Sequence, residues 1–190
     1  MEAAGHEFTV RPANVDEPTG EEFFESVHSG RKTPHGRGET DIRQFVQYVC
    51  WLKAAAVAPT ITEGIVIAAD TVSWIDGEVI GKPEDADDAR RILRKLGGRD
   101  HELWTGTVLW RRPDDLQFAW QECSRVHFRN LTEEELDTYL ATRKWEGCSG
   151  AYAIKDHDDP YVRVVEGSLS NVVGLPMETL EGVLKMALEK

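Results

Sequence analysis

The sequence lacks the features that define several common classes of protein. Its three cysteines are widely spaced and include no C-x-x-C pair, so neither a disulfide framework nor a zinc site is predicted. No apolar run is long enough for a transmembrane helix, and no signal peptide is visible. The formal net charge of -12 disfavours general binding to nucleic acid or an anionic membrane. These absences predict a cytoplasmic protein with reduced thiols.

Several catalytic signatures are missing as well. The chain contains no P-loop G-x-x-x-x-G-K-[ST], no G-x-S-x-G nucleophile elbow and no dinucleotide-binding G-x-G-x-x-G. The six histidines show no metal-ligand spacing, and among them we expect only His101 to neighbour a site. The 190 residues are enough for a substantial core, arranged as one domain or two lobes.

The most informative stretch is the apolar run Ile65–Ala69, which leads directly into Asp70. A run of this kind predicts a strand that is buried on both faces. A carboxylate that ends such a strand is costly unless it is paired, metal-bound or solvated. Ligands in open α/β sheets bind beyond the carboxyl ends of strands, where we expect Asp70 to lie. The alternative is that Asp70 ends the strand and caps the following turn.

Two lysines are expected near this carboxylate. Asp76–Gly77 is typical of a type I′ hairpin turn, which would return Lys82 to the level of Asp70. A helical pattern over Glu39–Ala58 places Lys53 at the border of an apolar stripe, where it either reaches a cleft or stays solvated. One carboxylate that faces two ammonium groups suits a metal-bound polyphosphate.

The acidic residues elsewhere have less specific patterns. Asp16–Glu17 could add a metal-facing carboxylate, although the pattern alone favours a solvated turn. Pro83 is predicted to open a helix that ends at Leu96, and the acidic run after it fits the positive end of that helix better than it fits a metal site. The remaining predicted segments are a strand at Glu7–Arg11, a mobile loop over about residues 28–38, paired strands at Glu102–Arg112 and Gln117–Arg129, a helix from Thr132 to Ala141, a strand at Tyr161–Val165, a loop at Gly167–Pro176 and a last helix.

Six motifs occur in order along the chain: Ala69-Asp70-Thr71-Val72, Gly81-Lys82-Pro83, Asp88-Ala89, His101-Glu102 with Thr105-Gly106, Gly150-Ala151-Tyr152, and Gly167-Ser168 with Asn171 to Pro176. This series resembles the Maf (septum formation) family from about Phe8 to Leu184. The resemblance implies a single α/β domain over residues 1–190, with a mixed sheet and an elongated, two-lobed shape around a central cleft, like the inosine triphosphatases. It also implies a nucleoside triphosphate pyrophosphatase, often dimeric, that uses Mg²⁺ or Mn²⁺. Its products would be a nucleoside monophosphate and pyrophosphate from non-standard or pyrimidine nucleotides.

The same resemblance assigns roles to individual residues. Asp70 matches the acidic residue that accepts a proton from the attacking water, and with Glu17 it would contribute to the metal site. Lys53 and Lys82 would bind phosphates, and Thr71 falls where the family tunes base specificity. The further positions expected to bind substrate are Lys155, Ser168 and Asn171.

Two departures from the family pattern leave alternatives open. Lys155 stands where the family usually has glutamine, and since lysine cannot accept a hydrogen bond, base recognition should differ. The chain also begins after the family's Ser-x-Ser-Pro-Arg-Arg loop, which predicts either a late start-site assignment or a truncated domain. A catalytically impaired nucleotide-binding protein is therefore the main alternative. An acidic interaction module that uses the loop His28–Gly38 is a third hypothesis.

Overall fold

The computed structural model describes residues 1, 5–28, 39–154 and 158–189. These residues form an antiparallel sheet of five strands in the order β2-β1-β3-β4-β5, with helices on both faces. The α/β class is therefore confirmed, although the sheet is antiparallel rather than mixed. The elements are α1 Gly20–His28, α2 Glu39–Val57, β1 Gly64–Ile75, β2 Glu78–Ile80, α3 Ala86–Leu96, β3 Arg99–Arg112, β4 Gln117–Phe128, α4 Glu133–Ala141, β5 Val162–Glu166, α5 Leu169–Val173 and α6 Met177–Leu188, with 3-10 turns at Ala58–Thr60 and Ser149–Ala151.

The long strand β1 lies next to β3 and differs from the predicted strand in two respects. Asp70 pairs with Gly106 in the interior of this ladder, so the expected position at the end of a strand is wrong. Val66 is buried, but its neighbours Ile65 and Ile67 are only half-buried, so the strand is not covered on both faces along its whole length. The polar residues after Ala69 continue the strand because β3 pairs with them.

Consecutive side chains of β1 pack on opposite faces of the sheet, as the pleat requires. Val72 and Trp74 pack under α1 and α2, together with aromatic and branched side chains of those helices. Ile67 and Ile75 pack on the other face, against α6 and against α3 with α4, respectively. The sheet is therefore a central layer with two chemically separate faces.

Several predicted element boundaries are confirmed. The hairpin at Asp76–Gly77 joins β1 to β2, and Ser73 pairs with Ile80. The capping box at α4 is present, because the Thr132 hydroxyl accepts from the amide of Glu135 at 3.2 Å and the Glu135 carboxylate accepts from the amide of Thr132 at 2.8 Å. Helix α3 ends at Leu96 as predicted, but it begins at Ala86 rather than at Pro83, because Asp85 caps it.

Other segments differ from the predictions. Residues 7–11 have no regular secondary structure, so the predicted strand is wrong, and α1 was not predicted. The hydroxyl of Thr19 accepts from the amide of Glu22 at 3.2 Å, a T-x-x-E signature that marks this helix start in the sequence. The predicted loop at Gly167–Pro176 contains α5. Residues 29–38 of the predicted mobile loop lie outside the described residues.

No helix in the described parts of the chain is long and apolar enough to cross a membrane.

Candidate active site

The charged centre of the molecule is an ammonium group held by two carboxylates. The Nζ atom of Lys53 lies 2.5 Å from Oδ1 of Asp70 and 3.0 Å from Oε1 of Glu17. The side chains of Lys53 and Asp70 are only 20% and 17% exposed, whereas that of Glu17 is 40% exposed. The predicted approach of Lys53 to Asp70 is therefore present, and Glu17 joins them from the segment before α1.

A close approach of helix and strand positions this cluster. A Cβ atom on Gly106 would lie 2.4 Å from the carbonyl oxygen of Val46, so only glycine allows α2 to pack this closely on the sheet. Gly106 is the ladder partner of Asp70, and Lys53 follows Val46 by two helical turns. The thiol of Cys50 donates to the carbonyl of Ala68 at 2.7 Å and ties the same helix to β1.

The environment shifts the pKa values of the half-buried Asp70 and Lys53 and of the buried Cys50. Burial raises the pKa of Asp70, and the charge and hydrogen bond of Lys53 offset part of this effect. Desolvation would lower the pKa of Lys53, but the neighbouring Asp70 and Glu17 outweigh it and the pKa is raised. Burial, reinforced by the charge of Asp70, raises the pKa of Cys50 to about 12, so its thiol stays protonated. The cluster therefore holds a charged lysine beside a carboxyl group that ionises above its usual pH.

Lys82 adds a second positive charge from the exit of the hairpin. It is exposed, and its charge favours the ionised form of Asp70. Its neighbour Gly81 accepts a hydrogen bond from the amide of Gly150 at 3.1 Å. Gly150 has φ +76°, and a Cβ atom there would lie 2.6 Å from Oγ of Ser73, so this contact requires glycine. The 3-10 turn thus fixes the backbone that carries Lys82.

The side chain of Thr71 lies on the opposite face from Lys53. Its hydroxyl is 2.8 Å from that of Thr105, which donates to the carbonyl of Asn171 at 3.2 Å. Asn171 is fully buried, and its amide nitrogen donates to Oγ of Ser124 at 2.9 Å. Thr71 and Asn171 are thus joined in one neutral network, separated by the sheet from the charged cluster.

Ser168 is bound to the same network. Its hydroxyl accepts from the amide of Asn171 at 3.2 Å and caps α5, while its own amide donates to Ser124 at 3.1 Å. The substrate roles predicted for Ser168 and Asn171 stay predictions. Lys155, the other predicted base-reading position, lies outside the described residues.

His101 is not a neighbour of the charged cluster. It lies five residues from Gly106 on β3, which corresponds to about 17 Å along a strand. Its Nε2 atom is 2.7 Å from the hydroxyl of Tyr152, and burial lowers its pKa to about 4. His101 thus lies in the core, away from the charged cluster.

The two carboxylates of the cluster offer oxygen atoms of the kind that bind divalent cations. Within the described ranges, no group of three histidine, cysteine or acidic residues could hold a metal ion by itself. Asp70 and Glu17 nevertheless converge on one point and offer carboxylate oxygens, which are the ligands that Mg²⁺ prefers. Magnesium is commonly held by one or two carboxylates together with substrate phosphates, which is the arrangement these two residues allow.

Fold and site together define an α/β protein in which a helix and a sheet enclose a lysine-bridged pair of carboxylates. Sequence comparison identifies the family: the chain belongs to the Maf-like proteins, whose family model matches residues 1–187. A dTTP/UTP pyrophosphatase of Rhodopirellula baltica is 35% identical over 97% of this chain and 75% of its own length. Another of that name, from Anaeromyxobacter sp., is 39% identical over 98% of this chain and 82% of its own length. The family resemblance of the motifs is thus confirmed.

Proposed function

We propose that this chain is a nucleoside triphosphate pyrophosphatase, which cleaves a nucleotide to its monophosphate and pyrophosphate. The observation that carries the proposal is the contact of Lys53 with both Asp70 and Glu17, where the charge of Lys82 also favours the ionised form of Asp70. Relatives that cover nearly the whole chain bear the name dTTP/UTP pyrophosphatase, which favours pyrimidine nucleotides over other substrates. Cleavage of non-standard nucleotides is the broader form of the same proposal.

Asp70 is the proposed general base. Its carboxylate takes a proton from water while the water oxygen bonds to phosphorus and the bond to the departing pyrophosphate breaks. Burial raises the pKa of Asp70 towards the working pH, which makes the carboxylate a better proton acceptor than an exposed aspartate. Asp70 accepts a proton only when it is ionised, and the positive charges of Lys53 and Lys82 favour this ionised form.

Lys53 and Lys82 are the proposed phosphate ligands. Their charges offset the negative charge that develops on the phosphate oxygens, in a partly dehydrated site where such interactions are strong. A divalent cation, when bound by Asp70 and Glu17, would neutralise further charge on the same oxygens. Thr71 is proposed to influence base choice. A homodimer and a cytoplasmic location stay predictions.

The test is the release of pyrophosphate from dTTP, UTP and ATP by the purified chain, with Mg²⁺, with Mn²⁺ and with EDTA. We expect metal-dependent formation of monophosphate and pyrophosphate, identified by ³¹P NMR, with the pyrimidine nucleotides preferred. A folded sample that releases pyrophosphate from none of them would contradict the proposal. Tight binding of metal and nucleotide without turnover would instead support the alternative, a catalytically impaired nucleotide-binding protein.

A further inference from the structure

Lys53 occupies the point on which the two carboxylates of the site converge. Its ammonium group contacts Asp70 at 2.5 Å and Glu17 at 3.0 Å, so a single positive charge already neutralises much of the pair. These are the same oxygens that fit a divalent cation. A second cation placed there would be repelled strongly by the ammonium, because the site is only partly exposed to water.

Two of the three charged side chains, Glu17 and Lys53, can move without disturbing the secondary structure. Glu17 lies in the segment before α1, where residues 7–18 have no regular secondary structure, so its movement breaks no helix or strand. The side chain of Lys53 is long and flexible, whereas Asp70 is fixed in the interior of β1. Lys53 can therefore leave Asp70 without any change in the sheet.

We propose that Lys53 is an internal competitor for the divalent cation. In the nucleotide-free protein it binds Asp70 and Glu17, and it transfers to the phosphates when a nucleotide enters, which frees both carboxylates for the cation. Cation and polyphosphate therefore bind cooperatively. This inference rests on the site of the proposed function but concerns binding alone.

The test measures Mn²⁺ without any nucleotide, by electron paramagnetic resonance of the free ion. We expect Lys53→Met to bind Mn²⁺ more tightly than the unaltered chain, by about 5- to 150-fold, the usual range for coupled sites. Lys53→Arg retains the positive charge and is expected to bind Mn²⁺ as weakly as the unaltered chain. Lys95→Met is the matched control, because Lys95 pairs with Glu78 outside the cluster.

A second neutral variant controls for the loss of the hydrogen-bond donor to Asp70 in Lys53→Met. Lys53→Gln keeps a hydrogen-bond donor near Asp70 and should show the same gain in Mn²⁺ affinity, with folding checked by circular dichroism. Adding Glu17→Gln to either neutral variant should remove most of the gain, since one of the two carboxylates is then lost. Unchanged or weaker Mn²⁺ binding in a folded neutral variant would overturn the inference.

A separate experiment tests whether Lys53 transfers to the phosphates. Calorimetry with inorganic triphosphate in EDTA should show weaker binding by Lys53→Met than by Lys53→Arg, and equal binding by the two would contradict the transfer. None of these results depends on turnover. If the chain hydrolyses no nucleotide but its neutral variants still bind Mn²⁺ more tightly, the proposed function fails and this inference stands.

Discussion

The two faces of β1 carry consecutive residues with opposite surroundings. Asp70 meets Lys53 and Glu17 in a charged, partly open cluster, whereas Thr71 enters a neutral hydroxyl and amide network that includes the fully buried Asn171. Charges that remain accessible can exchange partners, while a buried neutral network holds one arrangement. We infer that the Asp70 face carries the proposed chemistry, whereas the network on the Thr71 face holds the strand in place and would influence base choice through the position of Thr71.

The largest effect is expected on the charged face. Asp70→Asn removes the proposed base with almost no change of shape, and we expect turnover to fall by about 10²- to 10⁴-fold. Thr71→Val, an equally small change on the other face, loses one neutral hydrogen bond and should reduce turnover by less than about ten-fold. Steady-state release of pyrophosphate measures both. Full activity of a folded Asp70→Asn would show that the two faces are assigned wrongly.

Substitutions in the neutral network on the Thr71 face should lower the stability of the fold. Asn171→Leu removes the buried side-chain amide that donates to Oγ of Ser124 and to the carbonyl of Leu103, so we expect a loss of about 1–3 kcal/mol in the free energy of unfolding. Urea unfolding gives the value. Val173→Ala on the exposed side of the same helix should change it by less than about 0.5 kcal/mol. Equal losses in the two variants would contradict a buried network.

The close packing of α2 on β3 should affect both stability and turnover. Gly106→Ala places a methyl group against the backbone of Val46, and we expect a loss of about 1–3 kcal/mol in unfolding free energy together with reduced turnover. Gly182→Ala is the matched control, because it lies within α6 with no atom near its Cβ position and should stabilise the chain by about 0.5–1 kcal/mol. A stable and active Gly106→Ala would show that close packing does not position Lys53.

The smallest effect is a shift in pH dependence. The raised pKa of Asp70 places the acidic limb of kcat/KM above the ordinary aspartate value of 3.8. Lys82 favours the ionised carboxylate, so Lys82→Met should move this limb to still higher pH. Lys95→Met should leave the limb unchanged. Movement to lower pH in Lys82→Met would show that another group controls the limb.

Local patterns predicted the elements that bring the charged residues together. The helical spacing around Lys53 and the Asp76–Gly77 turn before Lys82 are signals within short stretches, and both are present in the structure. Glu17 had no such signal, because its position depends on a tertiary contact made by a segment without regular structure. The interior position of Asp70 was missed for a similar reason, since pairing with β3 continues the strand beyond its apolar run.

Motif comparison also does not predict that Asp70 and Thr71 lie on opposite faces of the sheet. A motif places Asp70 and Thr71 side by side, although the alternation of a strand sends their side chains in opposite directions. In the sequence Gly106 is only part of a motif, and its function in packing follows from the carbonyl of Val46 beneath it. An isolated glycine within a predicted strand is a signal of close backbone approach that could have indicated this contact.

A pair of double-mutant cycles on turnover tests the separation of the two faces most directly. One cycle combines Asp70→Asn with Lys53→Met, and the other combines Asp70→Asn with Thr71→Val. Residues that act as a unit give strongly non-additive losses, whereas independent residues give additive ones. We predict strong coupling between Asp70 and Lys53 and additivity between Asp70 and its sequence neighbour Thr71. Additive losses in the first cycle, or equal coupling in both, would contradict the separation of the two faces.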